Sequence, residues 1–144
     1  MKHLVYNLER AIACTSRQTN GQLEKVNIVI DYHGFTLRNS PPMKSSLYTL
    51  DILQAHYCER MHRAYICEPP SVFRMFWKMV KPFIDPRTKD KIVFCHGQEG
   101  RRILEEIFDL SDVEECAWGA IGRESFRSNE YLECTPFHKT FGEC

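Results

Sequence analysis

The order of apolar runs along the chain predicts an α/β domain with a mainly parallel sheet and crossover helices. Short β-branched or apolar runs at Val26–Asp31, Ala64–Cys67 and Ile92–Cys95 alternate with longer helical patterns. Strands separated by helices pair in parallel through right-handed crossovers. The helix between the last two strands, Ser71–Phe83, is unusual in being apolar around most of its circumference.

Each element has its own signal. Leu4, Val5, Leu8, Ala11 and Ile12 share one face of a first helix, and Ser16 to Gly21 forms a polar break. In the first strand Val26, Ile28 and Ile30 face one way, and Asn27, Val29 and Asp31 the other. Tyr32-His33-Gly34 turns away, Ser40-Pro41-Pro42 makes an extended loop, and a helix follows over Met43–Tyr57. Leu47, Leu50, Leu53 and Tyr57 form its inner face. The strand Ala64–Cys67 stops at Pro69-Pro70, because proline cannot donate to a sheet ladder. Ser71 is the expected N-cap of the next helix, Asp85-Pro86 ends it, and Lys91 leads into the third strand. His96-Gly97 is a tight turn before a helix over Gln98–Phe108, with Ile103, Leu104, Ile107 and Phe108 inside. Beyond Leu110 the pattern weakens. Irregular structure is expected there, with one short helix near Asp112–Cys116 and fraying toward Cys144.

A chain of 144 residues with 43% hydrophobic content suits a single domain. We expect that domain over residues 1–110, with an acidic extension over 111–144. No run of about eighteen apolar residues offers a membrane span, and the first residues do not form a signal peptide. The seven cysteines are odd in number and several sit in apolar elements, which suggests reduced thiols in a cytoplasmic protein. Cys134-x-x-x-His138 resembles half a zinc site, but no second pair faces it, so neither metal nor cofactor is expected. The net charge is zero, yet residues 1–104 carry 16 basic and 9 acidic side chains, and residues 105–144 carry 3 and 10. Without a basic face interleaved with aromatics, nucleic-acid binding is not expected.

The helix Ser71–Phe83 admits two readings. Its cations Arg74, Lys78 and Lys81 fall along one narrow stripe. Either this is a core helix with a basic solvent edge, or it covers an apolar cavity and meets an anionic membrane through the stripe.

A longer pattern runs through this region. Tyr57-x-Glu59-Arg60-Met61 is followed by Ala64-Tyr65-Ile66, by Pro69, and then by Phe76-x-Lys78-x-x-Lys81-Pro82-Phe83-Ile84-Asp85-Pro86-x-Thr88-x-x-Lys91-Ile92. It resembles the CRAL-TRIO lipid-binding domain, especially the phosphatidylinositol transfer branch, whose pattern is roughly Y-P-E-R-x-x-x-x-Y-I-x-N-x-P, an apolar gate helix, and K-P-F-L-D-P-x-T-x-x-K-I. The resemblance implies an apolar pocket closed by a gate helix and non-catalytic transfer of a phospholipid, phosphatidylinositol, between membranes. It places Glu59, Arg60, Thr88 and Lys91 at the lipid head group. Val72, Phe73, Phe76, Trp77, Val80 and Phe83 on the gate helix, with Val26, Ile28 and Ile30 on a strand, are then the pocket residues. Arg74, Lys78 and Lys81 would make the transient membrane contact, so the protein is expected to be peripherally membrane-associated. The pattern departs at Cys58, where the family has proline. Val26 and Ile28 stand where the family's choline-binding serine and threonine lie, so phosphatidylcholine is not expected. The family's N-terminal helical lobe and first strand would precede Met1.

Two alternatives remain open on the sequence. Members of this fold also act as protein-interaction modules. Cys95-x5-Arg101 at a strand-to-helix junction has the spacing of cysteine-dependent phosphatases, although Glu99 lies within the loop that would cradle the phosphate. Asp31 ends its strand and His33 lies in the turn after it, and no catalytic pair is expected of them.

Overall fold

The computed structural model describes residues 2–36, 38–57, 59–122, 133, 138 and 139. The chain forms two compact units, Met1–Val26 with Glu124–Cys144, and Asn27–Arg123.

In the first unit, helix α1 (Lys2–Gln18) has the expected apolar residues half-buried along its length. Its helical bonding runs into the polar break, with Thr19 N donating to Thr15 O at 3.1 Å. Near its end Arg17 Nη2 donates to the Lys139 carbonyl at 2.7 Å. Cys14 is disulfide-bonded, with its partner outside the described residues. This corrects the expectation of reduced thiols throughout. An odd count guarantees one unpaired cysteine but forbids no bond, and pairing depends on which Cα atoms the fold brings within about 4.4–6.8 Å.

The second unit carries the sheet. Its elements are β1 (Val26–Asp31), α2 (Met43–His56), β2 (Met61–Cys67), α3 (Phe73–Val80), α4 (Pro86–Lys89), β3 (Ile92–Cys95) and α5 (Gly97–Glu105). The strand order is β1-β2-β3. Strands β2 and β3 run parallel with Ala64 opposite Ile92 and Cys67 opposite Cys95.

Strand alternation divides this pair into two faces. One face carries Tyr65, Cys67 and Cys95, fully buried with Leu104 of α5 and Ala117. Val93, Ile103, Phe108, Leu110, Val113 and Trp118 pack around them, and the Phe108 ring meets Tyr65 edge-on at 5.5 Å. Residues 111–118, acidic in sequence, thus supply Val113, Ala117 and Trp118 to the core. The other face carries Ala64, Ile66, Ile92 and Phe94, and α3 lies on it, with Trp77 5.4 Å and Phe73 6.3 Å from Phe94.

Several boundaries differ from expectation. Strand β2 begins at Met61, three residues early, because exposed His62 and Arg63 separate Met61 from the apolar run. Helix α3 starts at Phe73 and ends at Val80, followed by a 3-10 turn over Lys81–Phe83. Its N-cap is Val72 without a side-chain bond; Ser71 contributes its backbone carbonyl to Arg74 N instead. Pro70 and Ser71 start a tight turn of i→i+3 bonds, so backbone acceptors do what the serine hydroxyl was expected to do.

Helix α5 stops at Glu105, and Ile107 is exposed rather than inside. A last i→i+4 bond, Phe108 N to Leu104 O at 2.8 Å, holds the Phe108 ring against Tyr65. The short helix expected near Asp112 is instead two 3-10 turns, Leu110–Asp112 and Glu115–Ala117, tied by a parallel bridge between Glu114 and Ile121. The residues expected to fray near Cys144, and Cys134, lie outside the described residues. Among the described residues no group of His, Cys, Asp or Glu is arranged to hold a metal.

Candidate functional site

Helix α3 is the centre of the site, and its sides differ sharply. Phe73 and Val80 are buried, and Val72, Phe76 and Trp77 are half-buried. Phe73 stacks with Trp77 at 6.4 Å and packs on Tyr32 at 4.4 Å, while Phe35 meets Phe73 at 6.0 Å and Phe76 at 6.2 Å. Tyr32 and Phe35, in the loop after β1, were not singled out as site residues from the sequence. Tyr32 continues the phase of Ile28 and Ile30, which are half-buried as expected, and its amide donates to the Cys67 carbonyl at 2.9 Å. Burial raises the Tyr32 phenol pKa above its ordinary value.

The outer side carries Arg74, Lys78 and Lys81, all exposed. Beside them Met75 (59% exposed), Met79 (46%) and Phe83 (58%) also face outward. Phe83 therefore lies off the buried side on which it was placed. It belongs to the 3-10 turn, where each residue advances about 120° instead of 100°, so the helical phase fails there.

The head-group candidates gather at the amino ends of β2 and β3. Asp85 caps α4 by accepting from Arg87 N at 2.9 Å. Thr88, on that helix, accepts the Lys91 amide through its carbonyl at 3.2 Å. Lys91 Nζ crosses to the Met61 carbonyl at 2.9 Å, joining the start of β3 to the start of β2 beside Arg60 and exposed Glu59. An ammonium has three N–H donors, so Lys91 can hold this carbonyl and an added anionic oxygen together. Thr88, Lys91 and the 59–61 segment are thus brought together at the amino ends of the strands. Ligands of open α/β sheets more often lie at the carboxyl ends.

At those carboxyl ends the chain is closed. Glu68 adopts φ 47°, a left-handed conformation that a residue with Cβ rarely takes. Asparagine, which the resembled pattern has at this position, takes it more readily. The strained turn aims the Glu68 carboxylate at α5: Oε1 accepts the Gly97 amide at 2.7 Å, and Oε2 lies 3.8 Å from His96 Nδ1.

The phosphatase arrangement does not form here. A carboxylate occupies the helix N-terminus that phosphate would need. Cys95 is fully buried and its thiol pKa is raised by that burial, opposite to an activated nucleophile. Arg101 pairs with Glu105 at 2.7 Å on the exposed side of α5.

The neighbouring Cys67 thiol is pushed up to about 12, chiefly by burial and then by Cys95 and Asp31. The folded pKa exceeds the ordinary 9.0, so the folded state retains a proton that the unfolded chain loses. Stability should be unaffected by these thiols below pH 9 and should fall as pH rises from there toward about 12. Urea titrations across that window should show the decline, and it should flatten in Cys67→Ala/Cys95→Ala.

Comparison with known proteins assigns the class. The CRAL/TRIO domain family model matches residues 1–118. A CRAL-TRIO domain-containing protein of Saccharomyces cerevisiae is 36% identical over 99 residues, covering 68% of this chain and 32% of the relative. One from Schizosaccharomyces pombe is 35% identical over 94 residues, 65% of this chain and 9% of the relative. Phosphatidylinositol transfer protein PDR17 of Saccharomyces cerevisiae is 31% identical over 99 residues, 65% of this chain and 27% of the relative. The chain belongs to the CRAL/TRIO domain family and spans less than a third of the length of these relatives. No helix among the described residues is long and apolar enough to cross a membrane.

Proposed function

We propose that the chain binds a phospholipid, phosphatidylinositol by preference, and transfers or presents it between membranes without catalysis. One observation carries this reading: α3 separates an aromatic underside facing the sheet from an exposed side of cations and apolar residues. The underside suits acyl chains, and in this reading half-buried Ile28 and Ile30 of β1, with Val26, would add apolar surface to the pocket. The outer side suits an anionic bilayer, with Arg74, Lys78 and Lys81 meeting phosphates and Met75, Met79 and Phe83 entering the acyl boundary. The protein would then act in the cytoplasm, touching membranes transiently. The name of the PDR17 relative supports the choice of lipid.

In this reading the inositol phosphate lies at the amino ends of β2 and β3. Lys91 and Thr88 serve the phosphate, while Glu59 accepts from inositol hydroxyls and Arg60 adds positive charge. Native mass spectrometry of the purified chain should show a co-purified lipid of phosphatidylinositol mass. Lys91→Ala should lower loading of labelled phosphatidylinositol by tens-fold, since a charge-assisted bond contributes about 1.5–3 kcal/mol. Equal loading of wild type and mutant would remove Lys91 from the site.

A further inference from the structure

Helix α3 is held differently at its two ends. At the amino end no side chain caps it, and the entering turn is tied by backbone bonds, Phe73 N to Pro70 O at 2.8 Å and Arg74 N to Ser71 O at 3.1 Å. Its attachment to the rest of the unit at that end is ring packing by Tyr32, Phe35 and Phe94. Such packing is non-directional, and an acyl chain can replace it.

The carboxyl end is tied by directional bonds. The chain leaves helical geometry at Ile84 (φ −93°, ψ 132°), and Pro86 has no N–H to offer. Phe83 O and Asp85 N are therefore left without helical partners. Gln54, reaching from α2, satisfies both. Its Nε2 donates to Phe83 O at 3.1 Å and its Oε1 accepts the Asp85 amide at 2.7 Å. A side-chain amide offers one donor face and one acceptor face, so it pairs with this backbone as a neighbouring strand would.

From Asp85 the chain is tied stepwise to the head-group candidates. The Asp85 carbonyl accepts Lys89 N at 3.0 Å, Pro86 O accepts Asp90 N at 3.2 Å, and Thr88 O accepts Lys91 N at 3.2 Å. A shift at Asp85 is therefore carried into Thr88 and Lys91.

Given the phosphatidylinositol reading above, on which the role of Thr88 and Lys91 rests, we infer that Gln54 is a positioning residue: it clamps residues 83–85, so that α3 swings about this junction while the head-group segment keeps its place. Gln54 itself need not touch the lipid.

Gln54→Met keeps length and apolar bulk but removes both bonds; Gln54→Glu keeps the acceptor for Asp85. Site-resolved amide exchange on lipid-free protein reads the clamp directly. The Asp85 amide should exchange tens-fold faster in Gln54→Met, remain largely protected in Gln54→Glu, and leave Ile66 in β2 unchanged. Uptake of phosphatidylinositol from labelled vesicles then reads the positioning. Gln54→Met should lower uptake several-fold in wild type and not further in Lys91→Ala, since both act on one contact. Unchanged Asp85 exchange in Gln54→Met overturns the clamp. Losses that multiply in the double mutant reduce Gln54 to a structural residue and overturn the positioning role. If wild type takes up no phosphatidylinositol while Asp85 still depends on Gln54, the clamp stands and the lipid reading fails.

Discussion

Reversing Arg74, Lys78 and Lys81 together to glutamate is expected to weaken association with anionic vesicles by about 100-fold or more. Each cation near such a surface contributes about 1 kcal/mol, and about 1.4 kcal/mol is a decade in affinity. Arg74 and Lys78 lie exposed on α3 and Lys81 on the turn that follows it, so in the proposed membrane contact the three would act together. Their effect should be steepest at low ionic strength, where the Debye length is long. Folding should change little, since exposed substitutions usually cost within about 0.5 kcal/mol each. Vesicle co-sedimentation and thermal melting of the same mutant separate the outcomes. Wild-type sedimentation by the mutant would make the stripe a solvated edge, and a mutant that does not fold would make these residues structural. Met75→Ser/Met79→Ser should add a salt-independent loss, because apolar insertion is not screened.

Gly100→Ala is expected to destabilise the domain by about 1–3 kcal/mol, the range for overpacking a filled site. Helix α5 crosses β3 closely enough that a Cβ at Gly100 would lie 2.6 Å from the Cys95 carbonyl carbon and 2.9 Å from its Cα. Those atoms have little room to retreat: Cys95 is in register with Cys67, and its carbonyl accepts the Glu68 amide at 2.9 Å. The melting temperature should fall by roughly 5–10 °C. Gly97→Ala is a useful contrast. Its Cβ would meet nothing within 4 Å, and only the φ of 50° opposes it, at about 1 kcal/mol. If the two variants melt alike, the close crossing of α5 and β3 is wrong.

Sequence alone determined that three strands alternate with helices, and the limits of two of those strands. β1 and β3 begin and end where β-branched or apolar runs do, because such side chains fit a pleated, half-buried surface. Family membership was also legible, since the Tyr57–Met61 and Lys81–Ile92 motifs keep their spacings through an otherwise divergent chain. The cation stripe of α3 followed from helical periodicity alone.

Only the tertiary structure decided the rest. The 3-10 turn that points Phe83 outward depends on how the chain leaves α3, which periodicity at a fixed 100° cannot register. Gln54 joins residues 29 and 31 positions away, and a lone glutamine on a helix carries no local mark of such a partner. Glu68 reads as an ordinary strand-end charge until its left-handed backbone aims it at Gly97. The Cys14 bond likewise depends on which thiols the fold brings within reach. Periodicity and composition register which side of an element is buried. They cannot register contacts between residues distant in sequence, and the packed chain alone creates those.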